Sequence, residues 1–282
     1  MFGNLIKILY ICIIIIIIII IIKKLNMKKL FKPFESLKDS STNSILISWL
    51  IILMSFWGLN SLGDTHLFPT PSQVFKGLGD LWSEGLVVHI ASSIWLCTQA
   101  VFISVLVSLI FAYSSTIPFF KPVGTFISKL RFLPLTGISF YLAILINDAR
   151  TLQVWVLVVF MATFLTTSLI QMIKDIPQEE FDHARTLGCS RWECLWEVVI
   201  KGRVDYVLEL VRQNLAIVWM MLVTVESILV AAGGLGFLIK NSDKLGDTGR
   251  VIALQIIIVI VGLTLDFVIT KLRKLIFRYS NY

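Results

Sequence analysis

One carboxylate lies where a charge is costly. Glu226 is the single acidic residue of the apolar stretch Leu215–Ala232. An ionisable group in such surroundings is expensive to keep and is a candidate functional residue by default. Two interpretations stay open: Glu226 contacts a pathway or forms part of a gate, or it is a buried carboxylate bonded to a hydroxyl such as that of Thr224.

Three other ionisable residues near apolar stretches have simpler explanations. Asp266 is followed by Lys271 and Arg273, which favours an ion pair whose long side chains reach toward the polar interface. Asp148 and Arg150 lie between two apolar stretches, and we expect them to pair with each other or with water.

The sequence gives no support for metal or catalytic chemistry. Its three histidines and four cysteines are scattered and fit no metal-ligand spacing. It also lacks a G-x-x-x-x-G-K-[ST] phosphate loop, an H-E-x-x-H motif and paired carboxylates within one apolar stretch. We therefore predict no catalytic residue, no metal site, no cofactor and no enzymatic activity.

The composition is that of a membrane protein. Of the 282 residues, 57% are hydrophobic and 15% are charged, whereas a soluble domain has about 25% charged and 45–50% apolar residues. This composition excludes a disordered chain and a small disulfide-rich protein, and it gives no reason to expect a nucleic-acid partner. The lipid bilayer is the first predicted partner.

Six stretches are apolar and long enough to cross a membrane, for which about 20 mostly apolar residues are needed. We predict an all-α polytopic protein, because an open sheet edge cannot be satisfied in lipid. The third stretch is short, and the amphipathic segment Val123–Leu130 could extend it. The six predicted spans are Ile45–Leu62, Ile90–Ala112, Phe132–Ile146, Val154–Ile173, Leu215–Ala232 and Val251–Ile269.

The distribution of lysine and arginine predicts the orientation. If the segment before Ile45 is cytoplasmic, 20 of the 25 cations fall on the cytoplasmic side. By the positive-inside rule both termini are then cytoplasmic. The formal net charge of +7 is thus a signal of topology.

The N-terminal residues 1–26 do not fit this scheme easily, since ten consecutive isoleucines run from Ile13 to Ile22. They could form a seventh span, an uncleaved signal-like segment, or an extension outside the working protein, with translation starting at Met27. Residues 27–44 would then be a cytoplasmic segment, and residues 45–282 the transmembrane domain.

The predicted cytoplasmic loop Lys174–Asn214 is long and carries dense charge of both signs. Its pattern predicts helix, turn, helix. Asp175 is expected to cap the first helix, with Pro177 in the first turn and Gly188 as the stop. Ser190 and Glu193 form a capping box for the second. A soluble partner could grip these helices; a solvated, salt-bridged loop is the alternative.

This loop resembles a known family. Asp182-His-Ala-Arg-Thr-Leu-Gly-Cys-Ser-Arg-Trp192 is similar to the "EAA" loop of permeases from ATP-binding-cassette (ABC) importers, and most of all to the nitrate/sulfonate/taurine group. Asp182 and His183 replace the usual Glu and Ala, and Lys201 stands where a Leu-Pro normally ends the loop. Further segments resemble the family in the same order: Phe68–Phe75, Leu130–Pro134, Gly233–Ile239 and Val261–Asp266.

The resemblance implies a multi-pass permease subunit of the bacterial plasma (inner) membrane. It would act as a homodimer with two cytoplasmic ATPase subunits and an extracytoplasmic solute-binding protein, and would import a small anion or small organic solute. Segment 175–202 would couple it to the ATPase. Small residues would allow close approach, a leucine would enter a groove, and charges would set the register. The implied coupling residues are Asp182, Ala184, Arg185, Leu187, Gly188 and Arg191.

Two further expectations follow. Without the family proline, the chain after Ile200 could continue as a helix instead of breaking. The competing functional class is an autonomous secondary transporter, which would favour internal inverted repeats. No convincing repeat relates the two halves of the sequence, and the elaborate loop argues for a partner.

Overall fold

The structure is a computed structural model that describes residues 39–61 and 69–276. Within these residues every regular element is helical and there is no strand, as predicted for an all-α chain. The questions about the isoleucine run and the start at Met27 concern residues outside this part of the chain.

Long helices are separated by one or two short ones. Between them lie 3-10 turns at Leu130–Phe132, Lys201–Arg203 and Val230–Ala232 and one π-helical turn at Leu195–Ile200. In chain order the α-helices are α1 (Asp39–Ser61), α2 (Pro71–Ser83), α3 (Leu86–Ser114), α4 (Lys121–Lys129), α5 (Leu135–Leu145), α6 (Ala149–Lys174), α7 (Gln178–Thr186), α8 (Arg191–Cys194), α9 (Val204–Ile228), α10 (Leu235–Lys244) and α11 (Thr248–Ile276).

The chain forms two compact units. Of the described residues, the first contains 39–61, 69–80 and 247–253, and the second contains 81–246 and 254–276. In the first unit the Trp57 indole N–H donates to the carbonyl of Pro69 at 2.9 Å. The second unit holds all the candidate site residues discussed below.

Four stretches of helix in the described chain are long and apolar enough to cross a membrane, and a fifth is added if one bent pair counts as a single span. The four are Leu86–Ser114, Ala149–Lys174, Arg191–Ile228 and Thr248–Leu275. They contain the predicted second, fourth and sixth spans and most of the fifth. The predicted first span lies in α1, where the apolar helix Ile45–Ser55 is shorter.

The third predicted span is bent. The segment Lys121–Phe132 meets α5 at an angle of 109°, so Val123–Leu130 does not extend Phe132–Ile146 in a straight line. The cause is Pro134, because a proline forces the residue before it into an extended conformation. Leu133 accordingly has φ −71° and ψ 130°, which ends the preceding turn.

Helix α6 lies at the centre of the second unit and packs against α3, α4, α5 and α9. Its contact with α3 is close because small side chains recur on α3 at every fourth position, which places them on one face. Two of their hydroxyls reach main-chain carbonyls of α6, Ser104 that of Val158 and Ser108 that of Ala162. The fully buried small residues of α3 are Ser93, Ala100, Ser104, Ser108 and Ala112.

One helical run connects the predicted loop with the fifth span. It extends from Arg191 to Ile228 over 38 residues, with the π-helical and 3-10 turns in its first third. The chain therefore does continue as a helix after Ile200. The predicted span Leu215–Ala232 starts within this run, and its last residues form a separate 3-10 turn after Leu229.

Candidate functional site

The predicted helix-turn-helix is present between α6 and α9. Helix α7 carries Glu179 and Glu180 in its first turn, where acids favour the helix dipole. Gly188 follows it with φ +87°, a left-handed conformation suited to glycine. Ser190 and Glu193 form the predicted capping box at the start of α8, with both reciprocal hydrogen bonds made.

The predicted role of Asp175 was wrong. Its carboxylate accepts a hydrogen bond from the Gln171 amide at 2.8 Å, at the C-terminal end of α6. Pro177 precedes α7 instead, with φ −60° and ψ 140°, and no side chain caps this helix. The extended proline separates Asp175 from the first turn of α7, so the carboxylate serves the preceding helix.

Most of the six implied coupling residues are on the surface. Leu187 is 73% exposed, which is unusual for a leucine and makes it available to a partner. Asp182 and Arg185 form an exposed ion pair at 3.5 Å. Gly188 and Arg191 are exposed, whereas Ala184 is only 8% exposed. The Ala184 side chain is therefore packed within this chain and does not itself offer a small surface for close approach.

Helix α7 is connected to the long helical run by an ion pair. The Arg203 guanidinium contacts the Glu180 carboxylate, and the Arg203 side chain is only 18% exposed. The guanidinium also lies over the Tyr206 ring, 5.4 Å from its centre. Glu180 is in the first turn of α7 and Arg203 immediately precedes α9, so this contact joins α7 to a long apolar helix.

Further along α9, four charged residues tie it to α11. Arg212 binds Glu209 at 2.6 Å and Asp266 at 2.7 Å, and Arg273 binds Glu209 at 2.6 Å. Asp266 therefore does form an ion pair, but not with Lys271 or Arg273 as expected. Arg212, one helix away, reaches Asp266 instead.

At the other end of α9, Glu226 is fully buried. Its Oε1 accepts a hydrogen bond from the Ser93 hydroxyl at 2.7 Å, and its Oε2 accepts one from the Gly236 main-chain N–H at 2.9 Å. Thr224 instead donates to the carbonyl of Met220 in its own helix. The hydroxyl partner of Glu226 is thus a serine of α3.

These contacts cap the first turn of α10. N–H groups at a helix start have no partner inside the helix. Here the Gly234 N–H donates to His89 Nδ1 at 3.2 Å, the Leu235 N–H to the Ser93 hydroxyl at 3.0 Å, and the Gly236 N–H to Glu226. Three consecutive donors are satisfied by side chains of two other helices. We call His89, Ser93 and Glu226 the capping cluster.

The glycines of this turn are required by the close approach. A Cβ atom on Gly236 would lie 2.1 Å from the Val223 carbonyl oxygen, and one on Gly234 would lie 2.2 Å from Glu226 Cδ. Gly234 also has φ +111°. Glycine is therefore required at both positions of this turn.

A second set of contacts lies beside the capping cluster. Arg150 donates to the Ser92 carbonyl and, at 3.2 Å, to the Gln153 side chain. Gln153 is fully buried and donates to the Leu229 carbonyl at 2.8 Å, just beyond the end of α9.

The predicted pairing of Asp148 with Arg150 is not found. Asp148 caps α6 by accepting from the Thr151 main-chain N–H at 2.7 Å. Hydrogen bonds from the Thr151 side chain and main chain lower the pKa of the Asp148 carboxyl. Arg150 points instead to the contacts with α3 and Gln153 described above.

Sequence reasoning missed His89, Ser93 and Gln153. A usable signal was present: His89 and Ser93 are polar residues four apart in an apolar helix and therefore lie on one face. In the part of the chain that the structure describes, no group of His, Cys, Asp and Glu could hold a metal ion.

The fold and these sites define a class: a polytopic helical membrane protein with an exposed helix-turn-helix between two spanning helices. A family model described as "Binding-protein-dependent transport system inner membrane component" matches residues 86–278. The chain belongs to this family.

Two curated relatives carry more specific names. The taurine transport system permease protein TauC of Escherichia coli is 26% identical over 254 residues, which cover 82% of this chain and 88% of TauC. The bicarbonate transport system permease protein CmpB of Synechococcus elongatus is 27% identical over 106 residues, or 38% of each chain.

The chain is therefore an ABC-transporter permease of the inner membrane, a transport component rather than an enzyme. A permease of this class works with ATPase and binding-protein subunits. Membership of the family decides between the two transporter classes left open by the sequence, against an autonomous secondary transporter.

Removal of the Glu226 carboxylate should destabilise the fold. In Glu226→Ala the Ser93 hydroxyl and the Gly236 N–H lose their buried acceptor, and each such loss costs about 1–3 kcal/mol. Glu226→Gln keeps one acceptor oxygen and should lose roughly half as much. The unfolding midpoints of the purified proteins in a denaturing-detergent titration should fall in the order wild type, Glu226→Gln, Glu226→Ala.

Thr224→Ala is the matched control, since Thr224 is exposed, lies half a turn away and bonds only within its own helix. Its midpoint should stay at the wild-type value. If Glu226→Ala unfolds at the same point as Thr224→Ala, the capping cluster does not stabilise α10.

Proposed function

We propose that this permease forms the translocation pathway for a small anion or small organic solute, and that segment 175–202 couples the pathway to a cytoplasmic ATPase. One observation carries the proposal: the Arg203–Glu180 ion pair joins α7 to the helical run that begins with α8 and ends at the capping cluster. Motion imposed on one end of such a run is transmitted to the other, because a helix is stiff along its axis.

In this proposal α7 is the coupling helix. Leu187, at its C-terminal end, enters a groove on the ATPase, and burial of one leucine contributes about 1.5–3 kcal/mol. Asp182, Arg185 and Arg191 set the register through charge pairs with the partner. Gly188 provides the sharp turn after α7, and the buried Ala184 holds α7 against its own subunit.

The proposed assembly is a homodimer with two ATPase subunits and an extracytoplasmic solute-binding protein. Closure of the ATPases on ATP would move the two coupling helices and rock the spans between inward-open and outward-open states. Glu226 acts in the outer gate: it holds α3, α9 and α10 together when the gate is closed. In the proposed topology, with six spans and both termini in the cytoplasm, α7 and the capping cluster lie on opposite sides of the membrane.

The proposed substrate class is supported by the relatives and by the chemistry their names imply. Taurine carries a sulfonate and bicarbonate is a small oxyanion, so small solutes with an anionic oxygen group are the class to test. Which solute is delivered depends on the binding protein. Uptake of labelled taurine and of labelled bicarbonate, measured in cells with and without this chain, would show which of the two solutes it transports.

The coupling role makes Leu187→Asp the decisive change. Leu187 is already 73% exposed, so the substitution should leave insertion and yield unchanged, while a carboxylate in an apolar groove should abolish binding of the ATPase. Co-purification of a tagged permease with its ATPase from solubilised membranes is the measurement.

Leu245→Asp serves as the control, because Leu245 is 70% exposed and ends α10 on the opposite side in the proposed topology. It should retain the ATPase at the wild-type ratio. Recovery of the ATPase with Leu187→Asp at unchanged yield would show that α7 is not the coupling helix.

The orientation can be tested with two single cysteines. In a variant whose native cysteines are replaced by alanine, Lys244→Cys should react with a membrane-impermeant maleimide in intact cells. The reason is that residue 244 lies on the extracytoplasmic side in the proposed topology. Glu179→Cys, in α7, should react only after the membrane is permeabilised. Both positions are exposed in the structure. Labelling of Glu179→Cys in intact cells would contradict the proposed topology.

A further inference from the structure

A basic cleft lies beside the coupling segment. It has a volume of about 800 Å³ and is lined by residues from the end of α3 and the start of α4, the end of α6, and α7 and α8. Four cations line it, Lys121, Lys174, Arg185 and Arg191, and no aspartate or glutamate does so. We call these four residues and the space between them the basic cleft.

Within residues 39–61 and 69–276, three of the four cations have no acidic partner. Arg185 pairs with Asp182, which does not line the cleft. Among the residues that the structure describes, no carboxylate lies within 4.0 Å of the charged groups of Lys121, Lys174 or Arg191. The four cations that line the cleft repel each other. An anion that enters the cleft reduces this repulsion and so lowers the electrostatic free energy.

The position of the cleft points to the source of that anion. Lys174 is the last residue of the spanning helix α6, and Lys121 is the first residue of the amphipathic helix α4. Both are therefore at the boundary where a membrane span meets water. In the proposed orientation this boundary is the cytoplasmic leaflet, which carries the anionic lipids that attract basic pockets between spanning helices.

Exposed aromatic residues support a lipid over a free ion. Trp192 lines the cleft and is 68% exposed, and Phe119, two residues before Lys121, is 80% exposed. Large rings of this kind favour the interfacial region of a bilayer, where one side is apolar and the other is wet. An inorganic anion alone would gain nothing from them.

We propose that the phosphate group of an anionic phospholipid from the cytoplasmic leaflet binds at the Lys121 and Lys174 side of the basic cleft, which leaves Arg185 and Arg191 for the charge pairs proposed with the ATPase. The inference rests on the proposed function for its orientation and for the role of α7. A lipid held there contacts α4, α6 and the coupling segment together, so occupancy of the cleft would influence how α7 is presented to the ATPase.

The test uses the two lysines, which the proposed coupling does not involve. The delipidated full-length protein in detergent is titrated with dioctanoyl phosphatidylglycerol, and bound lipid is counted by native mass spectrometry. Lys121→Gln/Lys174→Gln should bind the first lipid roughly thirtyfold more weakly, as expected for the loss of two cations at a membrane surface. Dioctanoyl phosphatidylcholine should bind both forms weakly.

Lys129→Gln/Lys274→Gln is the matched control. It removes two exposed cations from the same proposed side of the membrane, and neither lines the cleft. It should bind phosphatidylglycerol like the wild type. Equal weakening in the control, equal binding of the two lipids, or tighter binding of inorganic phosphate than of phosphatidylglycerol would each overturn the proposal.

Co-purification separates this inference from the coupling role. Lys121→Gln/Lys174→Gln should retain the ATPase, whereas Leu187→Asp should lose it and still bind the lipid. If the lysine variant loses the ATPase and keeps its lipid affinity, the cleft is occupied by the protein partner and the lipid assignment is wrong.

Discussion

Main-chain N–H groups at the start of a helix need partners from outside that helix, and where these groups are buried in the protein, water does not supply them. The first turn of α10 meets this constraint with side chains of α3 and α9. Because Glu226 has one oxygen for Ser93 and one for the Gly236 N–H, a single carboxylate fixes three helices relative to each other. A side chain on Gly234 would collide with that carboxylate, and one on Gly236 would collide with the main chain of α9.

The same helical run that carries Glu226 begins at the Ser190–Glu193 capping box. Arg203 binds this run to α7, and Arg212 and Glu209 bind it to α11. Contacts at both ends thus converge on one 38-residue element. In the proposed mechanism this element carries the movement of the ATPase to the outer gate. A lipid bound in the basic cleft would also affect the position of α7.

Elements with a local cause could be predicted from the sequence. Apolar length identified four of the six predicted spans in the described residues, and the Ser190–Glu193 spacing identified the capping box, because both depend on neighbouring residues. Pairings over long separations could not be predicted: Glu226 with Ser93 and Arg212 with Asp266 depend on which helices pack together. The bend before α5 has a local cause in Pro134, but its size of 109° depends on the packing around it.

In the proposed mechanism the Arg203–Glu180 contact transmits movement from α7 to α9. The most direct measurement is ATP-driven solute uptake by the reconstituted transporter carrying Arg203→Gln, compared with Lys201→Gln, whose lysine pairs only within its own helical run. Arg203→Gln should keep the ATPase bound and lower uptake about fivefold, the effect of roughly 1 kcal/mol of lost coupling. Lys201→Gln should transport like the wild type. Equal uptake by the two variants would contradict the account.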